Sequence, residues 1–230
     1  MNSSLPTPNL DFGILTVNVK EIPPPMAEDI EEEKKPEAYD RRILAKAWKE
    51  ERTEFKQLER LARAIRIERV IVSPYLALPN FHGLYIPSEF CQWDLNPKLA
   101  LEWGLSKSQI RAIKNRAGAV ILIEYRFCLD LGVCRTLAHE IGHHLYRLAK
   151  FTKEEQSIPV TKAMKGFFRF DTYVHQSRDE ICAECFAKYL TAPIIKNGIK
   201  RYCDSILRKV RVHNPNAAKL IESYRREEIG

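Results

Sequence analysis

Apolar residues recur at helical spacing over about residues 41–67, where leucine and alanine dominate Leu58–Ile67, and again over about 133–149 and 178–191. The stretch 194–230 reads as two further helices divided near His213–Pro215. Short apolar runs predict strands near 68–73 (in ERVIVS, from Glu68), 84–87 (in HGLYIP, from His82) and 119–127 (AVILIEYRF). Few strands, with the polar chemistry carried on helices, give an α+β class. The 133–149 helix is amphipathic. With His139 at 0°, Thr136, Glu140, His143 and Arg147 fall between 0° and about 100°, while Leu137, Ile141, Leu145 and Leu148 cluster near about 160–240°. An apolar stripe in the core then leaves a His/Glu stripe facing a cleft.

That polar stripe contains His139–Glu140–Ile141–Gly142–His143, which fits the HExxH pattern. Residues four apart sit one above the other on a helix, so the two imidazoles can point at one metal. Glu140, about 100° round the helix, can reach a water at that metal without ligating it. A catalytic Zn²⁺ site wants three protein ligands and an open position, so one ligand must come from elsewhere.

Downstream, Asp179–Pro193 reads DEICAECFAKYLTAP. Helical periodicity puts Glu180, Glu184, Ala187 and Thr191 on one stripe, with Ala183 beside it, and the small residues permit close approach to a metal-bearing helix. Glu180 can be the third ligand, with Glu184 accepting a hydrogen bond from a ligand histidine. Spacing alone leaves either carboxylate open as the ligand.

The string LAHEIGHHLY (Leu137–Tyr146), followed by E-x-x-A-x-x-F-A-x-x-L-x-x-P (Glu180–Pro193), resembles the ImmA/IrrE family of zinc metallopeptidases. That family's second helix usually reads E-x-E-A-N-x-F-A-x-x-L-L-M-P. Glu180, Ala183, Phe186, Ala187, Leu190 and Pro193 match it, while Cys182 stands where a second Glu is common and Glu184 where Asn is common. The resemblance spans about residues 41–195. It implies a zincin-like, gluzincin-type fold, a small sheet with an HExxH helix and a second Glu-bearing helix. It also implies zinc held by His139, His143 and Glu180. Glu184 lies four residues on, at the position from which that pattern supports a ligand histidine. The activity implied is peptide-bond hydrolysis with Glu140 as base, on an XRE-type transcriptional repressor, relieving repression of a mobile element or a DNA-damage response. Tyr173 and His175, just before the Glu helix, are candidates to donate to the developing oxyanion, and His175 is also a fallback ligand. The 119–127 strand can pair with an extended substrate if it is a sheet edge.

Charge divides the chain. Residues 1–40 carry nine acids and three bases, a net of −6, which leaves +13 on residues 41–230 of a chain at +7. PPPMAEDIEEEKKPE (Pro23–Glu37) cannot bury a core, so 1–40 reads as an acidic, Pro-rich flexible arm, 41–195 as the peptidase domain and 196–230 as a basic helical extension. The arm can lie against the basic body, that body can meet an acidic partner or nucleic acid, or the charge is a solvated surface. Six cysteines (91, 128, 134, 182, 185 and 203) form no disulfide framework, and no 18-residue apolar run or secretory leader is visible, so a cytoplasmic protein without a membrane span is expected.

One more motif competes. LALEWGLSKSQIRAIKN (Leu99–Asn115) resembles the helix-turn-helix core of XRE-type repressors, within an insertion of about 95–117. Gly104 suits the turn, Ser106 the N-cap and Gln109 the capping-box position. Either this is a hairpin bordering the active-site cleft, or Lys107, Gln109, Arg111 and Lys114 face a DNA groove. The rivals to a peptidase are thus a DNA-associated regulator with structural zinc and a sensor on a zincin scaffold with little turnover.

Overall fold

A computed structural model describes residues 11–12, 15–16, 38–73, 82–88, 97–115, 118–124, 132–152 and 178–227, with the side chains of the first helix described from Glu51 onward. Two short strands, β1 (Asp11–Phe12) and β2 (Leu15–Thr16), pair antiparallel within the acidic arm. The body follows in the order α1 (Ala38–Ala64), β3 (Ile67–Ser73), β4 (Gly83–Ile86), α2 (Pro97–Glu102), α3 (Lys107–Lys114) and β5 (Ala119–Glu124). It continues with α4 (Val133–Leu148), α5 (Arg178–Thr191), α6 (Asn197–His213) and α7 (Pro215–Glu227). The class is α+β, with mostly helices around a mixed three-stranded sheet.

The buried residues of α1, Phe55, Leu58, Leu61, Ala62 and Ile65, keep the three-to-four spacing of a core-facing helix. It ends three residues before the expected Ile67, because Arg66 adopts φ 74° and turns the chain directly into β3. Ile67 pairs with Ala119 and Arg69 with Val120, so Glu68 is an extra residue in the ladder. That bulge restores Ile67 to the same face as Val70 and Val72, which strict alternation would forbid.

β5 is the central strand, parallel to β3 and antiparallel to β4. The expectation that it could be an edge open to substrate is therefore corrected. All six of its residues are buried, as an apolar run covered on both faces must be. Ala119, Ile121 and Ile123 face the core shared with α1 and α4, whereas Val120 and Leu122 face the α2–α3 hairpin through Ala100, Leu105, Ile110 and Ile113.

The hairpin thus packs on the opposite face of the sheet from α4. Its turn forms as the sequence required: Gly104 has φ 82°, and Ser106 and Gln109 make a reciprocal capping box. Gln109 is spent in that box and buried, so it does not face outward with Lys107 and Arg111.

α4 crosses the molecule between the sheet and the remaining helices, and its broadest contact is with α5. Gly142 makes that contact possible, since a Cβ there would lie 2.5 Å from Ala183 Cα. The N-terminus of α4 begins at Gly132 (φ 79°), which offers no side-chain cap. Glu51, far away on α1, supplies one. Its carboxylate accepts from the Val133 N–H at 2.8 Å and the Cys134 N–H at 3.3 Å. Among the described residues no helix is long and apolar enough to cross a membrane.

The Gly142 contact yields a direct prediction. Gly142→Ala drives a methyl into the α5 backbone and is expected to destabilise the protein by about 1–3 kcal/mol, despite the higher helix propensity of alanine. Urea denaturation measures this, and an unchanged or raised midpoint would refute the close approach.

Candidate metal centre

His139 and His143 lie one turn apart on α4 with ring centroids 4.9 Å apart and nearly perpendicular planes. α5 runs antiparallel alongside and brings Glu180 to both. His139 Nε2 stands 3.4 Å from Glu180 Oε2, and His143 Nε2 stands 3.6 Å from Glu180 Oε1. These separations exceed a charge-assisted hydrogen bond of about 2.7–2.9 Å. They match the edge of a tetrahedron whose ligands sit about 2.0–2.1 Å from its centre, which is about 3.3–3.4 Å. His139, His143 and Glu180 therefore form a group that can hold a metal ion, and among the described residues no other such group occurs.

The far sides of both rings are also engaged. His139 Nδ1 is 3.6 Å from Glu184 Oε2, and His143 Nδ1 is 2.9 Å from Asp179 Oδ1. Carboxylates at Nδ1 leave each Nε2 turned toward Glu180, the arrangement that orients imidazole ligands. Glu184 is itself fixed by Arg135 and by Lys188 at 3.5 Å. Burial works against ionisation of Glu184, but His139, Arg135 and Lys188 outweigh it and hold its pKa below the usual range.

Glu140 is 4 % exposed and lies against the sheet. Burial raises its pKa, opposed by the two histidines. A Cβ on Gly83 would come within 2.6 Å of Glu140 Oε1 and 2.9 Å of Thr136 Cγ2, so only glycine lets β4 pass this close. The Glu124 N–H donates to His82 O at 2.9 Å, which makes the even-numbered residues of β4 the hydrogen-bonded pairs with β5. The Tyr85 N–H consequently points to the outer edge of β4, where it donates to the Glu140 carboxylate.

Sequence reasoning missed Asp179, Arg135, Gly83 and Tyr85 as parts of this site. Asp179 and Arg135 were legible as neighbours of the motif at helical spacing. Gly83 and Tyr85 depend on a strand pairing that no local pattern announces. Tyr173 and His175 lie outside the described residues.

Burial alone would lower the pKa of His139, yet the nearby carboxylates of Glu180, Glu184 and Glu140 raise it to about 10. His143 moves the same way, with burial again opposed, by Asp179 and Glu140. His139 is protonated in the metal-free protein at neutral pH, and a cation must displace that proton. Metal affinity is accordingly expected to rise from pH 6 to pH 8, with proton release visible by calorimetry in buffers of different ionisation enthalpy. A pH-independent affinity would contradict it.

For the ligands, metal content should fall most in Glu180→Ala, and about 10–100-fold in affinity in Asp179→Ala and Glu184→Ala. Near-wild-type metal in Glu180→Ala would sink the assignment.

No known protein family, characterised protein or solved structure matches the chain.

Proposed function

We propose that this chain is a zinc-dependent endopeptidase of zincin-like fold and of the ImmA/IrrE type, acting on an XRE-type transcriptional repressor. The observation that carries the reading is the placement of Glu140. It is buried beside the His139, His143 and Glu180 trio and reaches the outer edge of a strand. A structural metal site needs no base at its margin, whereas hydrolysis does. Two histidines and a carboxylate also leave a coordination position open, as catalytic zinc sites do. The repressor as substrate comes from the sequence resemblance and not from the geometry.

Zinc held by His139, His143 and Glu180 would supply Lewis acidity toward a carbonyl and a water molecule. Glu140 would take a proton from the water whose oxygen bonds to the carbonyl carbon and return it to the amine nitrogen as the C–N bond breaks. Burial raises its pKa above the usual carboxylate range, the direction that favours holding and returning the proton. Asp179 and Glu184 keep the imidazoles oriented through Nδ1. Among the described residues the outer edge of β4, where the Tyr85 N–H already meets Glu140, replaces β5 as the strand an extended polypeptide would lie beside. Tyr173 and His175 stay the candidates for donating to the carbonyl oxygen.

Purified protein loaded with Zn²⁺ and mixed with the repressor encoded beside its gene tests the reading. Glu140→Gln should keep its zinc and lose cleavage by a factor of about 10²–10⁴. An intact repressor together with salt-sensitive duplex binding would favour the DNA-associated regulator instead. If neither cleavage nor duplex binding occurs, the sensor scaffold is the better account.

A further inference from the structure

His144 follows the ligand His143 but points the other way, into the core, and is 7 % exposed. Its Nε2 lies 2.9 Å from the carbonyl oxygen of Ile65, one of the groups left over where α1 ends. A carbonyl only accepts, so Nε2 carries the ring proton. In a ring protonated at Nε2 the other nitrogen, Nδ1, is free to accept, and it lies 2.9 Å from the Tyr85 hydroxyl.

Tyr85 closes the connection. Its ring lies nearly parallel to that of His143 at 6.5 Å, and its own backbone N–H is the group that donates to Glu140. A continuous run of polar contacts thus links the Ile65 carbonyl, the His144 ring, the Tyr85 hydroxyl and, through the Tyr85 backbone, the Glu140 carboxylate. Each end is anchored differently, one at the α1–β3 junction and one at the metal-bearing helix.

We infer that His144 is a positioning residue for Glu140, acting through Tyr85 to hold strand β4 against α4. The physical need is plain. β4 is four residues long and, among the described residues, has a neighbouring strand on one side only. Edge strands fray readily, and Gly83 adds backbone freedom at the point nearest Glu140. The His144–Tyr85 bond ties this strand to the core from within. The effect on catalysis rests on the peptidase reading, whereas the effect on β4 does not.

Amide hydrogen exchange in the full-length protein tests the two separately. In Tyr85→Phe, which removes only the hydroxyl, the amide at position 85 should exchange about tenfold faster, the loss of one buried hydrogen bond. The amides of Leu84 and Ile86, held by β5, should change by less than about threefold, since their ladder bonds are untouched. His144→Asn, which keeps an oxygen acceptor near the Nδ1 position, should fall between wild type and Tyr85→Phe, and it carries the test if Tyr85→Phe does not fold. Zinc-loaded variants should retain wild-type metal content and lose kcat by a similar factor at constant KM. Wild-type exchange at position 85 in both variants overturns the inference, and so does uniform acceleration of all three amides. Should the wild-type protein show no turnover, the peptidase reading fails while the exchange result still decides the role of His144.

Discussion

The site depends on how closely α4 and α5 approach. Helices packed through ordinary side chains run about 8–10 Å apart. Here Gly142 of one meets the backbone of Ala183 in the other, with room for hydrogen and not for methyl. The Cys182 thiol adds a contact of 3.8 Å to the Gly142 carbonyl oxygen across the same seam. Only at such proximity can a glutamate, with its short stem, bring its two oxygens to the Nε2 atoms of two histidines. Larger residues at 142 or 183 would push Glu180 outward and leave a histidine pair with no third ligand.

A second constraint works from the sheet side. In the proposed hydrolysis Glu140 would need to be buried enough to be kept dry, yet open enough to meet a reactant. β4 provides this by passing against it at Gly83 and offering the Tyr85 N–H from the edge turned away from β5. The strand edge is thereby blunted at one position, which also limits unwanted pairing with another chain. Strand β5, apolar from Ala119 to Ile123, stays inside, covered by the α2–α3 hairpin on one face and α4 on the other. The resemblance of that hairpin to a DNA-reading motif has a packing explanation. Ala100, Leu105, Ile110 and Ile113 are the apolar positions such a motif needs, and here they seat it on a sheet.

Much of this was legible in the sequence because it is periodic. The helices over 133–149 and 178–191 and the strand pair flanking the hairpin follow from spacing, and the Ser106–Gln109 box follows from two residues three apart. What escaped was pairing at a distance. The central position of β5 is set by which strands flank it, and a buried apolar run reads the same from sequence whether it is central or covered at an edge. Glu51 capping α4 is a contact 82 residues long in sequence, replacing a local cap that Gly132 lacks. The left-handed Arg66 stands where glycine would have advertised the turn.

The choice between Glu180 and Glu184 shows where periodicity stops and register begins. Both occupy one stripe of α5, so spacing treats them alike. Antiparallel packing does not. Arg135, His139 and His143 descend one face of α4 at four-residue intervals, and Glu184 and Glu180 ascend the facing stripe. Arg135 meets Glu184 first and neutralises it with help from Lys188, which leaves Glu184 one oxygen for His139 Nδ1. Glu180, one turn away, faces the two imidazoles at a spacing too wide for good hydrogen bonds and suited to a shared ion. A cation at that point would do for Glu180 what the guanidinium does for Glu184. The two carboxylates are distinguished by the cation each is built to meet, and the basic residue one turn before HEIGH is what tells them apart.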